Sequence, residues 1–63
     1  MTTTERFTQF IRGFYLEVPA ELHEAVDALA TAEARGRDLS ELSYFMGDDD
    51  LIAAEEYVQG LIS

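Results

Sequence analysis

The sequence predicts a compact all-α domain of four helices. Apolar residues recur at intervals of three and four positions in four separate segments, which is the spacing of a buried helical face. Capping residues, proline and glycine mark the ends of these segments, and the connections between them are short. No repeat or low-complexity linker divides the chain, so residues 1–63 are expected to form one small acidic helical domain.

The first predicted helix opens at Thr2, because Glu5 follows it at the spacing of a capping box. Residues 14–18 alternate like a strand ahead of Pro19, which leaves open a short extended segment there. The apolar face of this helix is largely aromatic, and we expect it in the core, or otherwise on a surface that docks a partner or a second copy. That face consists of Phe7, Phe10, Ile11 and Phe14.

The second helix is predicted to start at Pro19 and to stop at Gly36. Proline suits the first turn of a helix, and glycine readily adopts the left-handed conformation that ends one. A single apolar face repeats between them, formed by Leu22, Ala25, Val26, Leu29 and Ala32.

The third helix is short. It is predicted to start at Asp38, with Glu41 completing a second capping box, and to end at Gly47. Its apolar residues are Leu39, Leu42, Phe45 and Met46.

The fourth helix is predicted to start within the run of three aspartates that follows Gly47. Its buried stripe is expected to contain Leu51, Ala54, Val58 and Leu61, widened by Ile52 and Ile62. The tyrosines of the chain, Tyr15, Tyr44 and Tyr57, lie beside these stripes, where a ring can pack and still reach water or an interface.

The composition indicates a folded and strongly acidic protein. Hydrophobic residues make up 48% of the chain, too many for intrinsic disorder, and 13 acidic against 4 basic residues give a net charge of −9. Such a chain is repelled by nucleic acid and by anionic membranes, so neither is expected as a direct partner. The apolar runs are too short to span a bilayer and the N-terminus lacks the basic start of a signal peptide, which favours a cytoplasmic location.

A chain of this size has a marginal core, because it buries only about 60% of the surface that its unfolded form exposes. Self-association through the aromatic stripe would bury more surface, whereas the negative charge opposes it. We therefore expect a monomer or a weak homodimer.

The residues offer little for catalysis or metal binding. There is no cysteine, and His23, the only histidine, is expected to be an exposed helix residue. The aspartate run lacks the Asp-x-Asp-x-Asp-Gly order of a calcium loop. We predict no enzyme, with no catalytic, cofactor-binding or metal-binding residue and no cofactor.

The acidic residues exceed what helix capping requires. One aspartate of the run can accept hydrogen bonds from the fourth helix, and the other two gain only about 0.3–1 kcal/mol each from its positive end. Adjacent like charges repel, yet Glu55 and Glu56 follow, on the side expected to face away from the apolar stripe. Every charged residue after Arg37 is acidic.

The second helix shows the same excess of acids. Glu21, Glu24 and Asp27 follow one another at three-residue intervals, a rise of about 4.5 Å each, while B-DNA carries one charge per about 1.7 Å of axis. Two such helices side by side could approach that density. The alternative is an ordinary solvated helix face, although such a face usually mixes charges of both signs.

The segment "LSELSYFMGDDDLIAAEEYV" has the helix, glycine turn and helix layout of a DNA-binding helix-turn-helix. Its second helix is acidic, and its carboxylates would be repelled by phosphates. Direct DNA binding is therefore not expected.

The order of the segments resembles the helical middle portion of the phage and plasmid antirestriction proteins that mimic DNA. The likeness lies in "EVPAELHEAVDAL", "DLSEL" and "DDDLIAAEEYV", and covers roughly residues 7–59. Small acidic anti-CRISPR proteins are similar in composition. The resemblance implies a protein whose carboxylates stand in for phosphates on the DNA-binding surface of a host defence enzyme.

We therefore expect a non-enzymatic inhibitor that acts by DNA mimicry in the host cytoplasm, with the basic DNA-binding surface of a Cas subunit or a restriction enzyme as its partner. The alternative is a small helical protein–protein interaction or assembly module that pairs through apolar helix faces. The candidate partner-binding residues are the acids Glu21, Glu24, Asp27, Asp38, Glu41, Asp48, Asp49, Asp50, Glu55 and Glu56.

Overall fold

Four α-helices form in the order that the sequence predicts. In the computed structural model, which describes residues 1–62, α1 spans Thr3–Arg12, α2 His23–Ala34, α3 Ser40–Gly47 and α4 Leu51–Gln59. A single 3-10 turn, Ala20–Leu22, leads into α2. No strand forms among residues 1–62, so the prediction of an all-α four-helix domain is confirmed.

The helices enclose one apolar core. α1 packs on α2 and α3, and α4 packs on α3 and α2, so each helix contributes a face to the same interior. Leu42 of the short α3 is fully buried in this core. The buried residues are Phe7, Ile11, Leu22, Ala25, Leu29, Ala32, Leu39, Leu42, Met46, Ala54 and Val58.

The N-terminus of α1 is closed by two side chains. The Thr2 hydroxyl accepts a hydrogen bond from the Glu5 amide at 3.1 Å, which is one of the two hydrogen bonds of the predicted capping box. Glu33, near the end of α2, accepts bonds from the Thr3 amide at 2.6 Å and the Thr4 amide at 3.2 Å, and also from the Thr4 hydroxyl at 2.9 Å. One carboxylate thus satisfies free amides of α1 and ties the start of α1 to the end of α2.

These hydrogen bonds also set the charge state of Glu33. Partial burial raises the pKa of its carboxyl group, but the bonds from Thr3 and Thr4 stabilise the carboxylate more and bring the pKa below its ordinary value. Glu33 is therefore ionised when it caps α1 at neutral pH.

The turn between α2 and α3 follows the predicted glycine stop. Gly36 has a φ of 77°, and its amide donates to the Glu33 carbonyl at 3.0 Å. The Arg37 amide donates to the Ala32 carbonyl, also at 3.0 Å, which completes a Schellman motif.

The start of α3 differs from the prediction. The helix begins at Ser40 rather than at Asp38, and the Asp38 carboxylate accepts from the Ser40 amide at 3.0 Å instead of from Glu41. A two-residue Asx turn has replaced the expected capping box. The bond from the Ser40 amide lowers the pKa of the Asp38 carboxyl group.

The aspartate run forms a second Schellman turn, here called the aspartate turn (residues 48–50). Asp49 has a φ of 57°, in the left-handed region, and its amide donates to the Met46 carbonyl at 3.3 Å. The Asp50 amide donates to the Phe45 carbonyl at 3.0 Å, and the Asp50 carboxylate caps α4 by accepting from the Ala53 amide at 3.1 Å. The three aspartates end one helix and start the next.

Some apolar residues expected in the core are not there. α1 ends at Arg12, and residues 13–17 form turns and bends rather than an extended segment, so Phe14 leaves the helical stripe and is 47% exposed. Ile52 is 71% exposed, because α4 buries Ala54 and Val58 and Ile52 lies about 200° around the helix from Ala54. Phe10 and the predicted Val26, Phe45, Leu51 and Leu61 are partly buried, and Ile62 is 40% exposed.

Replacing Glu33 by glutamine should lower the melting temperature at neutral pH, because the amide cannot accept all three bonds and carries no charge. The pKa of Glu33 lies below its ordinary value of 4.5 in the folded chain, so its stabilisation is complete above that pH and is lost as the pH falls through the folded-state pKa. The difference in melting temperature between wild type and Glu33→Gln should therefore shrink in acid. Glu17→Gln, an exposed change in the connection between α1 and α2, is the control; a pH-independent difference for Glu33→Gln would contradict this role.

Asp49→Gly should stabilise the protein by about 0.5–1 kcal/mol, since glycine adopts the left-handed conformation without strain. Asp49→Ala should destabilise it by a similar amount, and Asp49→Asn, which tolerates this conformation and only removes the charge, separates the two effects. Urea unfolding measures all three. Equal stability of the glycine and alanine variants would show that residue 49 is not left-handed.

Candidate acidic interface

The candidate acids lie on the surface. Among the ten that the sequence analysis singled out, all are exposed except Glu55, which is partly buried because α4 turns it towards the connection between α1 and α2. The expectation that Glu55 faces away from the packed side of α4 is therefore wrong, whereas Glu56 is exposed as predicted. Nine of the acids belong to three places in the fold, and the tenth, Glu56, is exposed on α4.

The first place is the Tyr15 face, formed by Tyr15, Glu21, Glu55 and Gln59. The Tyr15 hydroxyl donates to the Glu55 carboxylate at 3.4 Å, and Gln59 donates through Nε2 to the Glu21 carbonyl at 3.4 Å. These contacts hold the 3-10 turn and the connection before it against α4. Two acids that are far apart in the sequence, Glu21 and Glu55, are brought to one face.

The pKa of Tyr15 reflects the proximity of Glu21 and Glu55. The negative charge of Glu55, with smaller effects of burial, of the hydrogen bond to Glu55 and of the charge of Glu21, raises the pKa of the Tyr15 hydroxyl above 10.0. Tyr15 therefore stays protonated and serves as a donor between two carboxylates.

The second place is the aspartate turn. Asp50 is used as the cap of α4, so Asp48 and Asp49 are the two aspartates that capping does not require. Both lie at the C-terminal end of α3, where the helix dipole disfavours negative charge. The nearby Tyr44 is 66% exposed, and a hydrogen bond with Asp48 and the charge of Asp48 raise its pKa above 10.0.

The third place comprises acids at the starts of α2 and α3. Glu24 and Asp27 are exposed on α2, and Asp38 and Glu41 are exposed around the first turn of α3. Two hydrogen bonds fix the position of Asp38. Its backbone carbonyl accepts from the Tyr57 hydroxyl at 3.4 Å, and its carboxylate accepts from the Ser40 amide. Asp38 therefore has a structural role as well as an exposed charge.

Two of the four arginines, Arg6 and Arg12, are exposed on α1, and the other two lie at the end of α2. Arg35 and Arg37 follow α2, where cations suit the negative end of the helix dipole, and they line a surface groove of about 270 Å³ together with Leu61. The charge of the molecule is therefore unevenly distributed, with carboxylates at the Tyr15 face and the aspartate turn.

His23 has a structural contact that the sequence did not reveal. It is exposed, as predicted, at the first residue of α2, and its Nε2 lies 3.1 Å from the Val18 carbonyl oxygen, to which the ring can donate in the appropriate tautomer. Within residues 1–62, no group of three or more histidine and acidic side chains is placed to hold a metal ion. No helix in this part of the chain has the length and apolar character needed to cross a bilayer.

Comparisons with known proteins give no relative from which to transfer a function: no family model, no curated protein and no solved structure matches the chain. The likeness to DNA-mimicking proteins is consequently argued from the residues of this chain alone.

The tyrosine titrations test the geometry of two of these places. Tyr15 and Tyr44 should both titrate above 10.0 in ring-carbon NMR spectra. Glu55→Gln should lower the pKa of Tyr15 alone, and Asp48→Asn should lower that of Tyr44 alone, so each variant is the other's control. If Glu55→Gln left Tyr15 unchanged, the two side chains would not be in contact.

Proposed function

We propose that this protein is a non-enzymatic inhibitor that mimics DNA, and that it binds the basic nucleic-acid-binding surface of a defence complex, a CRISPR effector or a restriction enzyme. The observation that carries the proposal is the exposed pair Asp48 and Asp49, held by a Schellman turn between the end of α3 and the start of α4. Capping of α4 accounts for Asp50 only. The fold does not require the charges of Asp48 and Asp49, and a partner that binds them would account for their presence.

The mechanism is competition for a basic groove. A net charge of −9 draws the protein towards a surface rich in lysine and arginine and speeds association. Helix ends and turns hold the carboxylates in place before binding, so complex formation loses less conformational entropy than it would with an unstructured acidic tail. This inhibitor would act in the cytoplasm of the host cell, where such complexes meet DNA.

The second candidate function is a helical interaction or assembly module. A specific observation favours it: Phe14, Leu16 and Ile52 are exposed apolar side chains outside the buried core. Added salt distinguishes the two functions, because it weakens a complex based on charge and barely affects one based on apolar contacts.

The first test is inhibition of DNA cleavage by a panel of purified CRISPR effector complexes and restriction enzymes. DNA mimicry predicts that at least one is inhibited, that inhibition is competitive with the DNA substrate, and that it weakens between about 0.05 M and 0.2 M salt. A panel with no inhibited member, or inhibition that excess DNA does not relieve, would contradict the proposal.

The second test neutralises the charges that capping does not require. The double variant Asp48→Asn with Asp49→Asn should keep its melting temperature, yet bind the inhibited enzyme about three- to tenfold more weakly at low salt, the size expected from two exposed ion pairs. Its affinity should also depend less on salt, and adding Glu55→Gln and Glu56→Gln should deepen the loss.

The control for this series is Glu5→Gln with Gln9→Lys on the exposed side of α1, which changes the net charge by the same amount at a different place. An equal loss of affinity in the control variant would mean that binding depends only on the net charge of the protein. Undiminished affinity of all the neutralised variants would exclude phosphate mimicry by these acids.

A further inference from the structure

A fully exposed leucine follows Tyr15 in the connection between α1 and α2. Leu16 is 99% exposed, and its neighbours Phe14 and Tyr15 are 47% and 41% exposed. Two residues later the chain buries Val18 in part, so the connection passes close to the interior without covering Leu16. Isolated exposed apolar residues are ordinary, but three in succession on one short connection form a patch.

Ile52 extends this patch on α4. It is 71% exposed and lies one helical turn before Glu55, so it is on the side of α4 from which Glu55 meets the Tyr15 hydroxyl. Phe14, Tyr15, Leu16 and Ile52 are together called the Leu16 patch. Its members come from two segments that the contact between Tyr15 and Glu55 joins.

The connection that carries Leu16 is held at both ends. The Phe14 and Tyr15 amides both donate to the Ile11 carbonyl at 2.9 Å, and the Phe14 ring packs edge-on against Phe10 with centroids 5.1 Å apart. At the other end, His23 contacts the Val18 carbonyl. A side chain presented by a connection fixed in this way can enter a partner's pocket with little loss of backbone entropy.

Carboxylates lie close to the Tyr15 part of the patch. Glu55 and Glu21 are both near enough to Tyr15 for their charges to act on its hydroxyl, and Glu17 follows Leu16 directly in the chain. An apolar centre with a charged rim is the usual arrangement of a protein-binding surface. Because these carboxylates are negatively charged, the complementary surface of a partner carries lysine or arginine side chains.

We propose that the Leu16 patch docks into an apolar pocket bordered by lysine and arginine side chains on a partner protein. The inference rests on the proposed function and gives it a specific contact: the carboxylates of Glu21 and Glu55 meet cations, while Leu16 fills the pocket between them. A second copy of the chain does not suit this surface, because a symmetric contact would place each rim of carboxylates against the same rim.

The probe is a helical peptide of about 15 residues made of leucine and lysine, compared with a peptide of equal length and charge that has serine in place of leucine. Both are titrated into the whole protein by calorimetry at about 0.05 M and 0.3 M salt. The leucine peptide should bind about tenfold more tightly, a gain of the size expected from burying one leucine side chain.

Variants identify the side chains that contact the leucine peptide. Leu16→Ser should weaken binding of the leucine peptide about tenfold and leave binding of the serine peptide unchanged, whereas Glu21→Gln with Glu55→Gln should weaken both. Amide NMR shifts on adding the leucine peptide should centre on residues 14–16 and on Ile52. Tyr44→Ser, which removes an exposed ring near the aspartate turn, is the matched control and should have no effect.

Three outcomes would overturn the proposal. If Leu16→Ser bound the leucine peptide as tightly as wild type, Leu16 would not be the anchor. If Tyr44→Ser lost peptide binding instead, the contact would lie at the aspartate turn. If sedimentation showed a dimer that Leu16→Ser converts to a monomer, the patch would bind a second copy of the chain. Because the probe is a peptide, these outcomes do not depend on whether any DNA-cleaving enzyme is inhibited. Inhibition that survives Leu16→Ser would leave DNA mimicry in place without this anchor.

Discussion

The carboxylate of Glu33 is the interaction on which the arrangement of the helices depends. It reaches from the end of α2 to the first amides of α1, so the two helices cannot separate without removing the acceptor of the Thr3 and Thr4 amides. A domain of this size has few core side chains with which to hold four helices in register. Hydrogen bonds from side chains at helix ends therefore do part of the work that a larger core would do.

Acids perform much of this capping, which divides the carboxylates of the chain into two groups. Glu33, Asp38 and Asp50 accept hydrogen bonds at the starts of α1, α3 and α4. Their charge is explained by the fold. Asp48, Asp49 and Glu56 are exposed and lie outside these caps, while Glu55 is shared between the packing of Tyr15 and the surface. Acids that take part in no cap, such as Asp48 and Glu56, can be neutralised to ask what the surface binds without removing a helix cap.

The local features of the fold were predictable from the sequence, and the long-range ones were not. The cap at Thr2, the left-handed Gly36 and the ends of α3 and α4 near Gly47 and Asp50 depend on neighbouring residues, which a short window contains. The cap by Glu33 joins residues about thirty positions apart, and no periodic pattern in the sequence predicts it. Exposure of Ile52 and Phe14 was missed for a related reason: an apolar residue in or beside a stripe is assigned to the core unless the exact rotation of the helix, or the exact end of α1, is known. The acids of the Tyr15 face were found as single residues, but their meeting around Tyr15 required the packing of α4.

The turn formed by Asp48, Asp49 and Asp50 also bears on the order in which the chain folds. It closes α3 and opens α4 with bonds between residues at most five positions apart, and α3 and α4 then pack directly against each other. A helical hairpin with such short loop closure forms early, because little chain entropy is lost before its contacts are made. α1 depends on Glu33 and on a finished α2, so it is expected to dock last and to leave first. The connection that carries Leu16 is then the last part of the chain to take its shape, and the Leu16 patch exists only in the completed domain.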